Sequence, residues 1–538
     1  MHRQIAGKLT SPVTKWVVLA FWIGAFVVLG GFAGKLTDVQ NNEASSWLPA
    51  NAESTRALDK MKPFQDPNAI PTTVVYEKKS GFSAEDLAAM KDQAAELQAM
   101  DDVEGKVIGP IPSQDGQAAQ TVVTYNLGAN GWNKMPDIAK QIHEITGVDG
   151  AKVYLAGIGG SAVDSFESFS GLDTSLLFAA FGVVILLLLF TYRSPSLWIL
   201  PIFSVLVALA SSLGLIYFLA KYANLTVNGQ SQAIVSILVI GAGTDYALLL
   251  VARYREELRR HEDRHEAMAF ALHRATPAII ASASTVIVGM LCLLLAEMNS
   301  TAGLGPVCAI GVGVTLLAMI TLLPALLVIF GRWMFWPMGP SFGSAEPTST
   351  GLWAKVGSFI APRPRKVWVV TTLALGIATL GVLTLNTNGL SAQDTYTKDF
   401  PSVTGQKVLT EHGLADSSTP VMVVTNADKA EDVAAALGDV DNLEPPSDPI
   451  TKGSVAFITA NLTVDSTTNA AFDTVDAVRT AVHAVDGAGA LVGGNSAILD
   501  DMLNANTRDS KVIIPVTLLV VLLILMLLLR ALTAPVIL

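Results

Sequence analysis

Predominantly apolar windows occur at 16–34, 175–192, 197–220, 234–252, 278–295, 304–330, 367–385 and 512–529. Each is close to or longer than the roughly 18 to 20 residues that a helix needs to cross a hydrocarbon core of about 30 Å. Two long polar stretches, 35–172 and 386–510, interrupt the series. Within the first, 72–76, 120–127 and 152–156 have strand character and 83–100 and 135–146 helical character, with Ser83 placed as an N-cap and Glu85 and Asp86 in the first turn. In the second, 421–425, 430–437, 454–462, 470–485 and 490–492 repeat that order. The pattern predicts a polytopic α-helical membrane protein of about eight spans, carrying two small α/β domains of split βαβ, ferredoxin-like form.

Composition agrees with this reading. Of 538 residues, 51% are hydrophobic and 15% charged, and the mean hydropathy is +0.47, which is too apolar for a soluble protein of this size. The net charge of -11 sits mostly in the two polar stretches, so it describes two solvated domains and gives no sign of a nucleic-acid partner. Orientation follows from the basic residues of the shorter connections. Arg3, Lys8 and Lys15 precede the first span; Arg253, Arg255, Arg259, Arg260, Arg264 and Arg274 fall in the connection 253–277; Arg332, Lys355, Arg363, Arg365 and Lys366 fall in the linker 331–366. All three places lie on one side if the spans alternate. That side, with the N-terminal residues 1–15, is expected in the cytoplasm, which puts both polar domains outside. The linker holds an interfacial helix at 352–361. Cys292 and Cys308 lie within apolar spans, so the outer domains fold without disulfides.

The chain is similar to itself at an offset of about 340 to 350 residues. Lys15-Trp-Val-Val is echoed by Lys366-Val-Trp-Val-Val, Leu48-Pro49 by Phe400-Pro401, and Leu155-Ala-Gly157 by Leu491-Val-Gly493; Arg193 and Arg530 close the next span of each half. The later copy of the first span, with its length, argues for a retained helix and against a cleaved signal peptide. The first half continues through the bundle at 173–330, whereas the second reaches only the span at 511–530. The expectation is an incomplete second half of a pseudo-twofold repeat, with about four further spans to follow by parity.

Chemistry concentrates in the fourth span, at Gly241-Ala-Gly-Thr-Asp245-Tyr246. A carboxyl at membrane depth costs roughly 2.5 to 3.5 kcal/mol on insertion scales, so Asp245 is a functional candidate by default. Burial would raise its pKa and neighbours would tune it, as a proton carrier requires. Gly241 lies one turn away on the same face and is placed to admit a neighbouring helix. Tyr246 is about 100° round the helix, so the two side chains need separate partners. Ser282, Ser284 and Thr285 on the next span offer a polar path, with self-bonding to their own backbone as the plainer alternative. His261-Glu-Asp-Arg-His265 fits the H-E-x-x-H zinc pattern, but it stands among charged residues of a short connection with no third ligand, and reads as a solvated helix face. There is no Gly-x4-Gly-Lys-Ser/Thr phosphate loop, so an ion gradient is the simpler energy source.

The fourth-span motif with its continuation Ala-Leu-Leu-Leu-Val-Ala-Arg253-Tyr-Arg255-Glu, the Thr321-Leu-Leu-Pro324-Ala-Leu element of the sixth span, and the Ser-x-Leu-Pro and Glu-Ser elements of 41–54 resemble the MMPL (mycobacterial membrane protein large) branch of the resistance-nodulation-division superfamily. The resemblance covers the whole chain. It implies a plasma-membrane exporter driven by proton influx, passing lipids, glycolipids or hydrophobic natural products through outer porter domains. Its Asp-Tyr relay pairs lie on the fourth and tenth spans; the first maps to Asp245 and Tyr246, and the second falls beyond Leu538. Protons are then the coupling ion, with no cofactor and no metal, and the chain as given is not expected to transport alone. Membrane lipids, accessory proteins and a monomeric or trimeric state are the partners the resemblance implies. A lipid-sensing or scaffold protein of the same architecture, without net transport, is the alternative.

Overall fold

The computed structural model describes residues 11–41, 47–49, 51–64, 66, 69–128, 131–192, 194–337, 339–344, 352–384, 400–414, 420–464 and 468–537. Arg3, Lys8 and Arg193, with parts of the 41–54 segment, the 331–366 linker and the start of the 386–510 stretch, lie outside these residues.

The first helix, α1 (Thr14–Ala33), leads to a short helix α2 (Glu53–Met61) and then to the first sheet domain. That domain runs β1 (Ala69–Glu77), α3 (Ala84–Gln98), β2 (Ile108–Pro112), β3 (Ala118–Asn126), α4 (Gly131–Ile145) and β4 (Lys152–Ala156). Its strands lie in the order β2-β3-β1-β4, all antiparallel, the split βαβ arrangement expected from the pattern. Ser83 caps α3 as anticipated: its hydroxyl accepts the Asp86 N–H at 3.1 Å while Asp86 accepts the Ser83 N–H at 2.8 Å. Val74, Tyr76, Val123 and Tyr125 of the sheet meet Met90, Leu97, Met135 and Ile142 of the two helices, all fully or almost fully buried. Side chains of this size contribute about 1.5 to 3 kcal/mol each on burial, enough to hold a small sheet without disulfides.

The chain then leaves β4 through α5 (Gly157–Tyr192) into a bundle of α6 (Ile199–Tyr222), α7 (Gly229–Arg260), α8 (Arg264–Leu291) and α9 (Asn299–Phe330). After the short helix α10 (Leu352–Ile360), α11 (Pro364–Thr379) repeats α1. The second sheet domain follows α12 (Pro401–Glu411) and runs β5 (Val421–Asn426), α13 (Ala430–Gly438), β6 (Ile450–Lys452), β7 (Val455–Ala460), α14 (Asn469–His483) and β8 (Leu491–Gly493), in the order β6-β7-β5-β8. It hands over to α15 (Asn495–Leu529). Seven of these helices are long and apolar enough to cross a membrane, and Leu177–Tyr192 of α5 supplies a shorter apolar stretch. This is a helical membrane protein with two small antiparallel sheets.

The charged connection 253–277 is largely helical: α7 continues to Arg260 and α8 begins at Arg264, leaving only 261–263 between them. Arg, Glu and Leu are good helix formers, so a charged run extends a helix out of the apolar zone rather than ending it.

α6 and α9 form the middle of the bundle. Trp22 of α1 donates to the Thr321 hydroxyl of α9 at 2.9 Å, and a Cβ on Gly214 of α6 would lie 2.1 Å from the Leu29 carbonyl oxygen, so α1 is an integral member of the bundle. Cys292 and Cys308 are free and buried. α11, by contrast, buries none of its side chains.

One feature of the fold is invisible in the order of elements. α2, which follows α1, docks on the second sheet, where Ala57 and Met61 pack with Val424. α12, which follows α11, docks on the first sheet, where Val408, Leu409 and Leu414 pack with Val75, Ala118 and Ala156. The two halves therefore exchange their leading helices.

Candidate functional site

Asn228 starts α7 by accepting the Ser231 N–H at 2.8 Å, and 32 residues follow, a rise of about 48 Å. Helical periodicity divides this rod into two faces. Val235, Val239, Gly243, Tyr246, Leu250, Tyr254 and Glu257 are buried, while Ile237, Gly241, Asp245, Leu249 and Ala252 form an exposed line. Asp245 is thus not enclosed: it lies on the open face, and no hydrogen bond or ion pair reaches it among the described residues. Among the described residues, the elements that pack against α7 do so on its other side, which leaves the Asp245 carboxyl on the open one.

Gly241 shares that open face, and a Cβ there would meet nothing within 4 Å. Among the described residues, the glycine of this motif that admits neighbours is Gly243. A Cβ on it would lie 2.8 Å from Val205 of α6 and 3.1 Å from Thr315 of α9. Positions two apart point to nearly opposite sides of a helix, which is why one glycine of the motif packs and the other does not.

Tyr246 is 1% exposed, and Tyr192 of α5 fixes the backbone beside it by donating to the Ala247 carbonyl at 3.3 Å. Its hydroxyl faces Ser282 of α8, with Asp245 as its charged neighbour, but makes no well-formed hydrogen bond. Of the three candidate path residues, only Ser282 is brought to the Asp-Tyr pair. Thr285 bonds its own helix through the Ala281 carbonyl at 3.0 Å, the plainer alternative, and Ser284 is half-buried. Thr244 and Thr315 likewise bond their own helices, at 2.6 and 2.7 Å.

The zinc pattern loses its premise. The helix breaks between His261 and His265, so they do not share one turn. His261 stacks on Phe270 and faces Glu257, while His265 bonds Asp263 and lies 3.3 Å from Lys15 Nζ.

Sequence reasoning missed three groups. Asp509 of α15, 5% exposed, accepts the Glu297 N–H at 2.8 Å and the Met298 N–H at 3.1 Å, and Arg508 donates to the Leu295 carbonyl at 2.8 Å. The same α8–α9 connection pairs Met298 with Pro49 on the approach to α2. Glu257, 2% exposed, is the third group. Its signal was present: about three turns beyond Tyr246, it returns to nearly the same side of the helix.

The MMPL family model matches residues 46–367 and 392–538. The chain belongs to the MMPL family. A relative called "Putative membrane protein ActII-3" in Streptomyces coelicolor is 49% identical over 97% of this chain and 74% of its own length. The "Apo-petrobactin exporter" of Bacillus anthracis is 27% identical over 100% of this chain and 78% of its own, and the "Probable transport protein MmpL8" of Mycobacterium bovis is 27% identical over 67% and 34%. This MMPL chain thus spans about three quarters of the first two relatives. Two of these relatives carry the names of an exporter and a transport protein.

Proposed function

We propose that this MMPL chain takes part in proton-driven export of lipids, glycolipids or other hydrophobic small molecules across the plasma membrane, with its N-terminus in the cytoplasm and its sheet domains outside as porter domains. The observation that carries the reading is the division of labour on α7. Asp245 stands on an open face, where access to it changes as helices rearrange, while Tyr246 beside it is held in the interior against Ser282. A proton bound at Asp245 can draw on about 2.3 kcal/mol per 100 mV. The Asp509 and Arg508 contacts offer a mechanical link, since motion of α8 or α9 pulls on α15 and through it on the second sheet domain. The name of one relative as an exporter supports the same direction, and that of another as a probable transport protein supports transport.

The test uses cells loaded with the hydrophobic dye Nile red. A full-length parent is expected to lower dye retention; a protonophore and Asp245→Asn are each expected to remove that effect while the amount of protein in the membrane stays the same. Undiminished dye export by Asp245→Asn would overturn the proposal. Insensitivity of both proteins to the protonophore would favour a lipid-sensing or scaffold role.

A further inference from the structure

We infer that Glu257 is a second proton-binding carboxylate on α7, at the cytoplasmic end of the route that begins at Asp245. This rests on the proton-driven reading above. Among the described residues, the buried face of α7 carries three oxygen atoms without a hydrogen-bond partner: the hydroxyls of Tyr246 and Tyr254 and Oε1 of Glu257, the last with only ion pairs at 3.9 and 4.0 Å. Unsatisfied buried polar atoms are uncommon, and each costs about 1 to 3 kcal/mol. Three on one side of one helix mark a lane kept for something that comes and goes. Leu250, fully buried between the two tyrosines, interrupts it. A proton is therefore held at one end until the bundle rearranges, as coupling without leakage requires.

The surroundings of Glu257 suit release. On its own helix, His261 Nε2 lies 3.4 Å from Oε2 and Arg260 lies 3.9 Å from Oε1. From α8, Arg274 lies 4.0 Å from Oε1, and Glu266 reaches the other side of the His261 ring at 3.8 Å. Arg332, just beyond α9, donates to the Leu258, His261 and Glu262 carbonyls and so fixes the end of α7; Arg264 of α8 is tied to the Ile329 carbonyl. His261 is half-buried and stacked on Phe270 with ring centroids 4.5 Å apart, which orients its Nε2 toward the carboxylate. In the transfer, the O–H bond of protonated Asp245 breaks and, through intervening hydroxyls or water, an O–H bond forms at Glu257. His261 Nε2 then takes that proton and gives it to cytoplasmic water. No electron changes hands, and each carboxylate returns to its charged form.

The experiment is infrared difference spectroscopy across a pH titration, on the full chain reconstituted in vesicles of phosphatidylethanolamine and phosphatidylglycerol, with protons as the only probe. Parent, Asp245→Asn, Glu257→Gln and Glu257→Asp are compared. Glu257→Gln is expected to lose one titrating carboxyl band that Asp245→Asn keeps, and Glu257→Asp to retain that band at a shifted frequency. Identical carboxyl bands in Glu257→Gln and the parent would overturn the inference, as would failure of both Glu257 variants to fold, which would make the residue a structural ion-pair member. A full set of bands in Asp245→Asn would count against Asp245 as the carrier, an outcome separable from the first.

Discussion

The two exchanged helices do the same job with different chemistry. α2 is clasped to the second sheet domain by charge. Arg479 sits 2.9 Å from Asp500, 2.8 Å from Asp501, 3.5 Å from Asp476 and 3.7 Å from Glu53, the first residue of α2, while Asp501 also accepts the Ser54 N–H and Glu53 the Val492 N–H. α12 is clasped to the first domain mainly by apolar contact through Val408, Leu409 and Leu414. Its polar additions are Asp164, which accepts the Ser402 N–H at 2.9 Å, and His412, 2.6 Å from Asp115. Both docking sites depend on small residues: a Cβ on Gly493 would lie 3.1 Å from Ala57 and Met61, and one on Gly405 3.1 Å from Tyr154. A repeated sequence thus preserves the shape of a joint while its energetics drift. Ionic joints fix register and answer to pH and salt; apolar joints supply stability.

The strongest way to break this contrast is Arg479→Met. It leaves several largely buried carboxylates without their counter-ion, and a loss of about 3 to 5 kcal/mol is expected in unfolding of the detergent-solubilised protein. Hydrogen exchange should quicken in α2 and leave α12 unchanged. A loss below about 1 kcal/mol, the range of surface pairs, would show that the network is not a clasp.

Leu409→Ala, at a residue only 2% exposed, is expected to cost about 2 to 4 kcal/mol through lost burial and the cavity left behind, with faster exchange confined to α12. Raising salt should leave that variant and its parent equally far apart, because no charge is involved. A gap that closes at high salt would place this joint in the same class as the first.

The smallest effect is the response to acid. Asp115 is held down at about 2 by the Ser113 hydroxyl and by His412, so its contribution is present above 3.8 and lost as pH falls toward about 2. Asp500 is pushed the other way by burial and by Asp476, so its contribution is present below 3.8 and lost as pH rises through its higher value. Acidification should therefore loosen α12 while relieving the Asp500 part of the α2 clasp, measured as opposite trends in amide exchange. Parallel trends would refute the assignment of these two groups.

Much of the architecture was legible because bilayer thickness and burial impose long-range periodicity. The spans, the Ser83 cap and the repeated order of strands and helices were readable in that way. The edge strands β2 and β6 were not. Ile108–Pro112 contains two prolines and is largely exposed, and Ile450–Lys452 is wholly exposed, so neither has the alternation that betrays a half-buried strand. Glu257 was hidden by its neighbours, since a run of Arg and Glu suggests water whichever way one member of it points.

The sequence by itself determined that this is a helical membrane protein with two like domains, because composition and local period carry that information, and its motifs, the Asp-Tyr pair of the fourth apolar stretch among them, resemble those of the MMPL family. Only the tertiary structure decided that Asp245 faces outward and Tyr246 inward, that Gly243 rather than Gly241 is the packing glycine, and that each half lends its leading helix to the other. Those outcomes depend on which surfaces meet, and a surface is assembled from residues hundreds of positions apart, beyond the reach of any local pattern.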